Sequence, residues 1–112
     1  MNRLKMFTTA ILAGILFFPL AADAQKQTGI VAHRGFWNCE EAGYAKNSVA
    51  ALRCAQEAGF WGSEFDVNLT EDGVLLVFHD GIVDGKRIEK NPASAFADHR
   101  LKNGERIPVI DE

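Results

Sequence analysis

The sequence predicts an α/β fold of the kind that opens a barrel or a doubly wound sheet. Three observations carry this. Gly29-Ile30-Val31-Ala32 is a short apolar run with β-branched residues and reads as a buried strand. Val49 to Ala58 follows with apolar residues at helical spacing. A second strand around Glu64 comes next, so the order is strand, helix, strand, with the first two strands parallel. A βα unit of this kind cannot cover both faces of its own sheet, so the pattern reads as the first third of a larger domain.

Taken in order, the chain begins with a leader. Arg3 and Lys5 form a positive n-region, Met6 to Leu20 is an apolar run, and Ala22-Asp23-Ala24 is a small-x-small cleavage site. Together these predict a signal peptide over residues 1–24, cut after Ala24, and hence an exported, periplasmic or extracellular protein. The first strand ends on His33-Arg34-Gly35. Phe36 to Ala45 has no period and reads as a loop. Asn47 or Ser48 can cap the helix. Val49, Leu52, Ala55 and Ala58 or Gly59 supply its apolar stripe, and Gly59 is its stop signal. Phe60-Trp61 before the second strand and Val67 after it predict that the strand is largely buried.

Thr70-Glu71-Asp72-Gly73 reads as a turn, with Gly73 available for positive φ. Val74 to Phe78 is a continuous apolar run that re-enters a core. The link is too short for a helical crossover, so a hairpin is expected, returning His79 to the level of Glu64 and Asp66. Beyond Asp80 the pattern fades. Ile82-Val83 is a lone apolar pair among turn residues. Pro92 to Asp98 has room for a helical turn, Asn103-Gly104 is a turn signal, and Ile107 to Glu112 reads as the start of another helix.

Composition narrows the function classes. The 112 residues carry a net charge of −3, and the leader holds Arg3, Lys5 and Asp23, so the rest of the chain is one unit more negative. A mildly acidic chain without a basic run argues against a nucleic-acid partner. Nothing after residue 24 is long and apolar enough for a membrane span. Cys39 and Cys54 are the only cysteines. Export permits a bridge between them, but two cysteines make no disulfide framework, so unpaired thiols are the expectation.

The residues that bear chemistry cluster at strand ends. His33 follows a buried strand, where an α/β fold places its active site. A histidine there can act as general acid or base, and Arg34 can hold a phosphate or carboxylate through its forked donors. An ordinary surface His-Arg pair is the plain alternative. Gly35 lets the backbone turn sharply or a ligand come close. Glu64 and Asp66 are two residues apart, which on a strand puts both carboxylates on one face. They repel unless a cation sits between them, and oxygen-only ligands suit Mg²⁺ or Ca²⁺ rather than zinc. His79-Asp80 closes the apolar run. His99 has nothing pointing to it and reads as a solvated residue.

In order, Ala32-His33-Arg34-Gly35, Asn47-Ser48 at a helix start, Glu64-x-Asp66-Val67, Thr70-x-Asp72-Gly73 and His79-Asp80 resemble the glycerophosphodiester phosphodiesterase family. The resemblance runs from about Ile30 to Asp80 and again over Ile107 to Glu112. It implies that residues 25–112 are a partial domain, the N-terminal part of a truncated TIM-type (β/α)8 barrel. It further implies paired catalytic histidines at His33 and His79, a phosphate-binding Arg34, and Glu64 and Asp66 as ligands of a divalent cation, Ca²⁺ or Mg²⁺. The substrate would be a small glycerophosphodiester, cleaved to glycerol 3-phosphate and an alcohol. Lys46-Asn47-Ser48 departs from the family's usual Glu-Asn-Thr. A third acidic ligand is expected beyond residue 112, so this chain by itself is expected to turn over little substrate. The competing reading is a truncated, non-catalytic chain that keeps only cation or partner binding.

Overall fold

A computed structural model describes residues 28–111. The expected signal peptide lies outside the described residues. The elements are β1 (Val31–Ala32), α1 (Val49–Glu57), β2 (Gly62–Ser63), β3 (Val67–Leu69), β4 (Leu75–Val77), β5 (Ile82–Val83) and β6 (Lys86–Arg87). Short 3₁₀ turns follow at Ile88–Lys90 and Ala93–Phe96. Among the described residues the strands form three two-stranded sheets and close no barrel. None of the helices there is long and apolar enough to cross a membrane.

β1 and β2 pair in parallel, Val31 with Gly62 and Ala32 with Ser63, with α1 as the crossover. Ser48 is the N-cap of α1. Its hydroxyl accepts the Ala51 N–H at 3.0 Å and donates to the Ala45 carbonyl at 2.8 Å. The buried face of α1 is Ala51, Cys54 and Ala55, whereas Val49 and Leu52, expected on the apolar stripe, are exposed. The loop before the helix explains the shift. Ala42 fills a tight cluster with Ala51 and Cys54, and Phe36, Trp37 and Cys39 close over it. Small side chains thus face the loop while the larger ones lie on the open side.

β3 and β4 form the expected antiparallel hairpin, with Val67 opposite Val77. Its turn is built as its residue types dictate. The Thr70 hydroxyl donates to Asp72 Oδ1 at 2.6 Å and accepts the Val74 N–H at 2.9 Å, while Gly73 takes φ +83°. Leu76 joins Val83, Ile88, Phe96 and Ile107 in the larger core cluster. A second hairpin, β5–β6, turns on Asp84 and Gly85, both at positive φ. That Asp-Gly pair is a strong hairpin signal, and the sequence reading passed over it. The described part of the last segment is extended up to Val109 and turns at Ile110 and Asp111. Val109 bridges Leu76 antiparallel, and the Val77 N–H donates to the Pro108 carbonyl at 2.7 Å, so β4 gains a neighbour on its free side.

The expectation of a largely buried second strand fails. Trp61 is 82% exposed, and Phe65 and Val67 are also exposed. Ile30 and Val31 of the first apolar run are exposed as well, leaving Ala32 as its buried residue. Burial on both faces of a parallel pair needs a layer on each side, and within the described residues α1 covers one.

Candidate active site

β1 stops at Ala32, and the next residues turn sharply. Arg34 has φ +59° and Gly35 φ +81°. The Gly35 N–H reaches both the Ala32 carbonyl at 3.3 Å and the Glu64 carbonyl at 3.2 Å, and the Phe36 N–H donates to the Ala51 carbonyl at 2.9 Å. A Cβ on Gly35 would stand 2.6 Å from the Ala51 Cβ and 2.9 Å from its carbonyl carbon. Glycine is therefore required here by the close approach of α1 and the left-handed backbone.

This turn aims Arg34 at both carboxylates. Its backbone N–H donates to Glu64 Oε2 at 3.0 Å, and its Nε lies 3.3 Å from Asp66 Oδ2. The Nε atom is buried and has no aligned hydrogen-bond acceptor among the described residues. The forked terminal donors of a guanidinium suit an anionic guest. His33 stands beside it, 74% exposed, with Nε2 3.9 Å from Glu64 Oε2.

Asn47 ties the group together. Its N–H donates to the Arg34 carbonyl at 3.0 Å, closing the neck of the loop between them. Its amide donates to Asp66 Oδ2 at 3.0 Å and accepts the Asp66 N–H at 3.3 Å. Asn47 is buried and sits at φ +56°, a conformation asparagine tolerates better than most residues. Of the two capping candidates, Ser48 takes the helix and Asn47 takes Asp66. The sequence reading missed this clamp, although Asn47 stood inside the motif.

Glu64 and Asp66 lie between β2 and β3 rather than within one regular strand. They are gathered by Arg34 and Asn47, not by strand alternation. Glu64 Oε1 and Asp66 Oδ1 accept no hydrogen bond among the described residues, which leaves lone pairs for a hard cation. The donor set fits Ca²⁺ or Mg²⁺ in type. No group of three or more His, Cys, Asp or Glu side chains is poised for a metal among the described residues.

His79 is bonded elsewhere. Continuing the β3–β4 register by two residues would set it across from Phe65. Its Nδ1, however, is 2.6 Å from Asp80 Oδ1, and no hydrogen bond or ion pair among the described residues joins it to His33, Glu64 or Asp66. Asn68 holds the backbone on either side of it, donating to the Phe78 carbonyl at 2.6 Å and the Asp80 carbonyl at 3.3 Å. His99 is not merely solvated. Its Nδ1 is 3.0 Å from Asp84 Oδ2, and its ring meets the Phe78 ring edge-on. An open, mostly apolar groove of about 140 Å³ is lined by Arg34, Gly35, Leu52, Phe65 and Pro108 among others.

Residues 33–106 match the model of the glycerophosphoryl diester phosphodiesterase family. The chain is 34% identical to a glycerophosphodiester phosphodiesterase of Caldanaerobacter subterraneus subsp. tengcongensis, over 77% of this chain and 39% of that protein. It is 36% identical to glycerophosphodiester phosphodiesterase 1 of Mus musculus, over 73% of this chain and 28% of that protein. A crystal structure of a glycerophosphodiester phosphodiesterase from Parabacteroides distasonis superposes with a TM-score of 0.70 at 44% identity, covering 74% of this chain and 34% of that one. The chain thus spans well under half the length of these proteins.

Proposed function

The chain belongs to the glycerophosphoryl diester phosphodiesterase family, and from that premise we propose that it carries one side of the active site of a metal-dependent phosphoric diester hydrolase. The substrate is a small glycerophosphodiester, and the products are glycerol 3-phosphate and a free alcohol. The parallel β1–β2 pair with α1 between them is read as the opening unit of a (β/α)8 barrel, whose sites lie at the carboxyl ends of strands. Export to the periplasm or beyond rests on the leader motif in residues 1–24.

One observation carries the reading: Arg34, Glu64, Asp66 and Asn47 converge just past the end of β1, with Arg34 ion-paired to Asp66. In this reading Arg34 binds the phosphate oxygens and fixes the diester against His33. Glu64 and Asp66 hold a divalent cation, Ca²⁺ or Mg²⁺, which when bound offsets negative charge on the phosphate. One of His33 and His79 takes the proton of the attacking hydroxyl, and the other gives a proton to the leaving alcohol. Asn47 does no proton transfer. It holds Asp66 and Arg34 in register.

The test follows glycerol 3-phosphate release from glycerophosphocholine by a purified complete (β/α)8 protein carrying these motifs, with Ca²⁺, with Mg²⁺ and with chelator. His33→Ala and His79→Ala are each expected to slow turnover by roughly 10²–10⁴-fold. Wild-type turnover in both variants would remove the two histidines from the mechanism.

A further inference from the structure

Cys39 and Cys54 come from different parts of the chain and meet at one place. Cys54 is buried on the inner face of α1, in the cluster with Ala42 and Ala51, and Cys39 packs on that cluster from the loop. Both are thiols in this structure. Cys39 Sγ donates to the Phe36 carbonyl at 3.2 Å. Burial pushes the Cys54 thiol above its usual range, with Cys39 the next largest influence, in keeping with the packing of Cys39 on the cluster that holds Cys54. Cys39 is partly open to solvent while Cys54 is not.

We propose that Cys39 and Cys54 form a covalent modification site: a disulfide that, once made, ties the middle of loop 35–46 to α1. The oxidant is another disulfide, either a small one such as oxidised glutathione or a disulfide-donating protein. The Cys39 thiolate attacks one sulfur of that disulfide and expels the other as a thiolate, leaving a mixed disulfide on Cys39. Cys54 gives its proton to solvent and attacks the Cys39 sulfur, expelling the second thiol. Two protein thiols are oxidised and one external disulfide is reduced to two thiols. The exposed partner receives the oxidant and the buried partner resolves it. The raised Cys54 thiol makes the second step the slower one at neutral pH.

The bridge closes the loop between residues 39 and 54, next to the neck that Asn47 already holds at the Arg34 carbonyl. It stabilises mainly by restricting the unfolded chain, and the expected rise in Tm is on the order of 10 °C.

The experiment equilibrates the purified protein across ratios of reduced to oxidised glutathione, quenches with an alkylating agent, and reads intact mass and peptide maps. The expected result is simultaneous loss of both alkylation sites, one peptide joining Cys39 to Cys54, and a higher Tm that reverts on reduction. Cys39→Ser should then leave Cys54 slow to react, and Cys54→Ser should stop at glutathione on Cys39. Independent alkylation of the two thiols, a stable glutathione adduct on wild-type Cys39, or disulfide-linked dimers would each overturn the proposal. The wild-type readings need no variant to fold and do not depend on phosphodiesterase turnover.

Discussion

Asp72 sits where a single carboxylate oxygen takes two hydrogen bonds, from the Thr70 hydroxyl at 2.6 Å and the Ala93 N–H at 3.0 Å. The Thr70 bond first, and the Ala93 bond after it, hold its carboxyl below the usual range. A lowered pKa in the folded state means stability that is fully present above the ordinary value of about 4 and is lost as pH falls through the folded value. Asp72→Asn is therefore expected to melt below wild type at pH 7, with the gap closing as the pH drops under about 4. A gap that stays constant across that range, measured by thermal scans, would show that the charge does not matter. Thr70-x-Asp72-Gly73 was readable as a turn because the types are local and specific. Arg34, Glu64 and Asp66 were readable as a site for the same reason. The partner of Asp66 was not, because Asn47 is equally suited to cap a helix, and only the fold shows which of two adjacent residues does so.

At the scale of elements, the N-terminus of α1 receives more than its Ser48 cap. Glu105 accepts the Val49 N–H at 2.9 Å and the Ala50 N–H at 3.2 Å. A carboxylate at a helix start also meets the positive end of the helix dipole. The turn that delivers it is fixed by Asn103, whose Oδ1 accepts the Glu105 N–H at 3.1 Å and whose amide donates to the Ala42 carbonyl at 3.2 Å. Glu105→Ala should cost about 1–2 kcal/mol, and Glu105→Gln, which keeps an acceptor, less than that. Urea denaturation measures both, and an unchanged midpoint for Glu105→Ala would refute the cap. The helix itself was legible, from Ser48 to its stop at Gly59. Its buried face was legible only at Ala55. Apolar spacing marked Val49 and Leu52, but the loop packs on Ala51 and Cys54 instead. No local pattern announces a carboxylate that acts 55 residues away.

For the molecule as a whole, the α/β order and the parallel first pair were legible because strand and helix periods differ. The burial of the second strand was misjudged, since apolar residues declare a preference and not a covering layer. Trp61, Ile30, Phe65, Val67 and Leu69 remain exposed around β1, β2 and β3. Exposed apolar surface of this kind, beside short strands with open edges, drives association. Purified residues 28–111 should therefore associate with rising concentration in sedimentation velocity. A single monomeric boundary at every concentration would show that these side chains are too scattered to act as a surface.

The Glu105 cap also sets an order in time. The hairpins β3–β4 and β5–β6 join residues near in sequence and form on the scale of microseconds. The anchor of α1 joins Val49 and Ala50 to a residue 56 and 55 positions later, a contact that must wait for a long loop to close. On a ribosome, α1 and the Asn47 that precedes it emerge well before Glu105 does. The Glu105 anchor of α1 is thus the late contact, expected after the hairpins have formed.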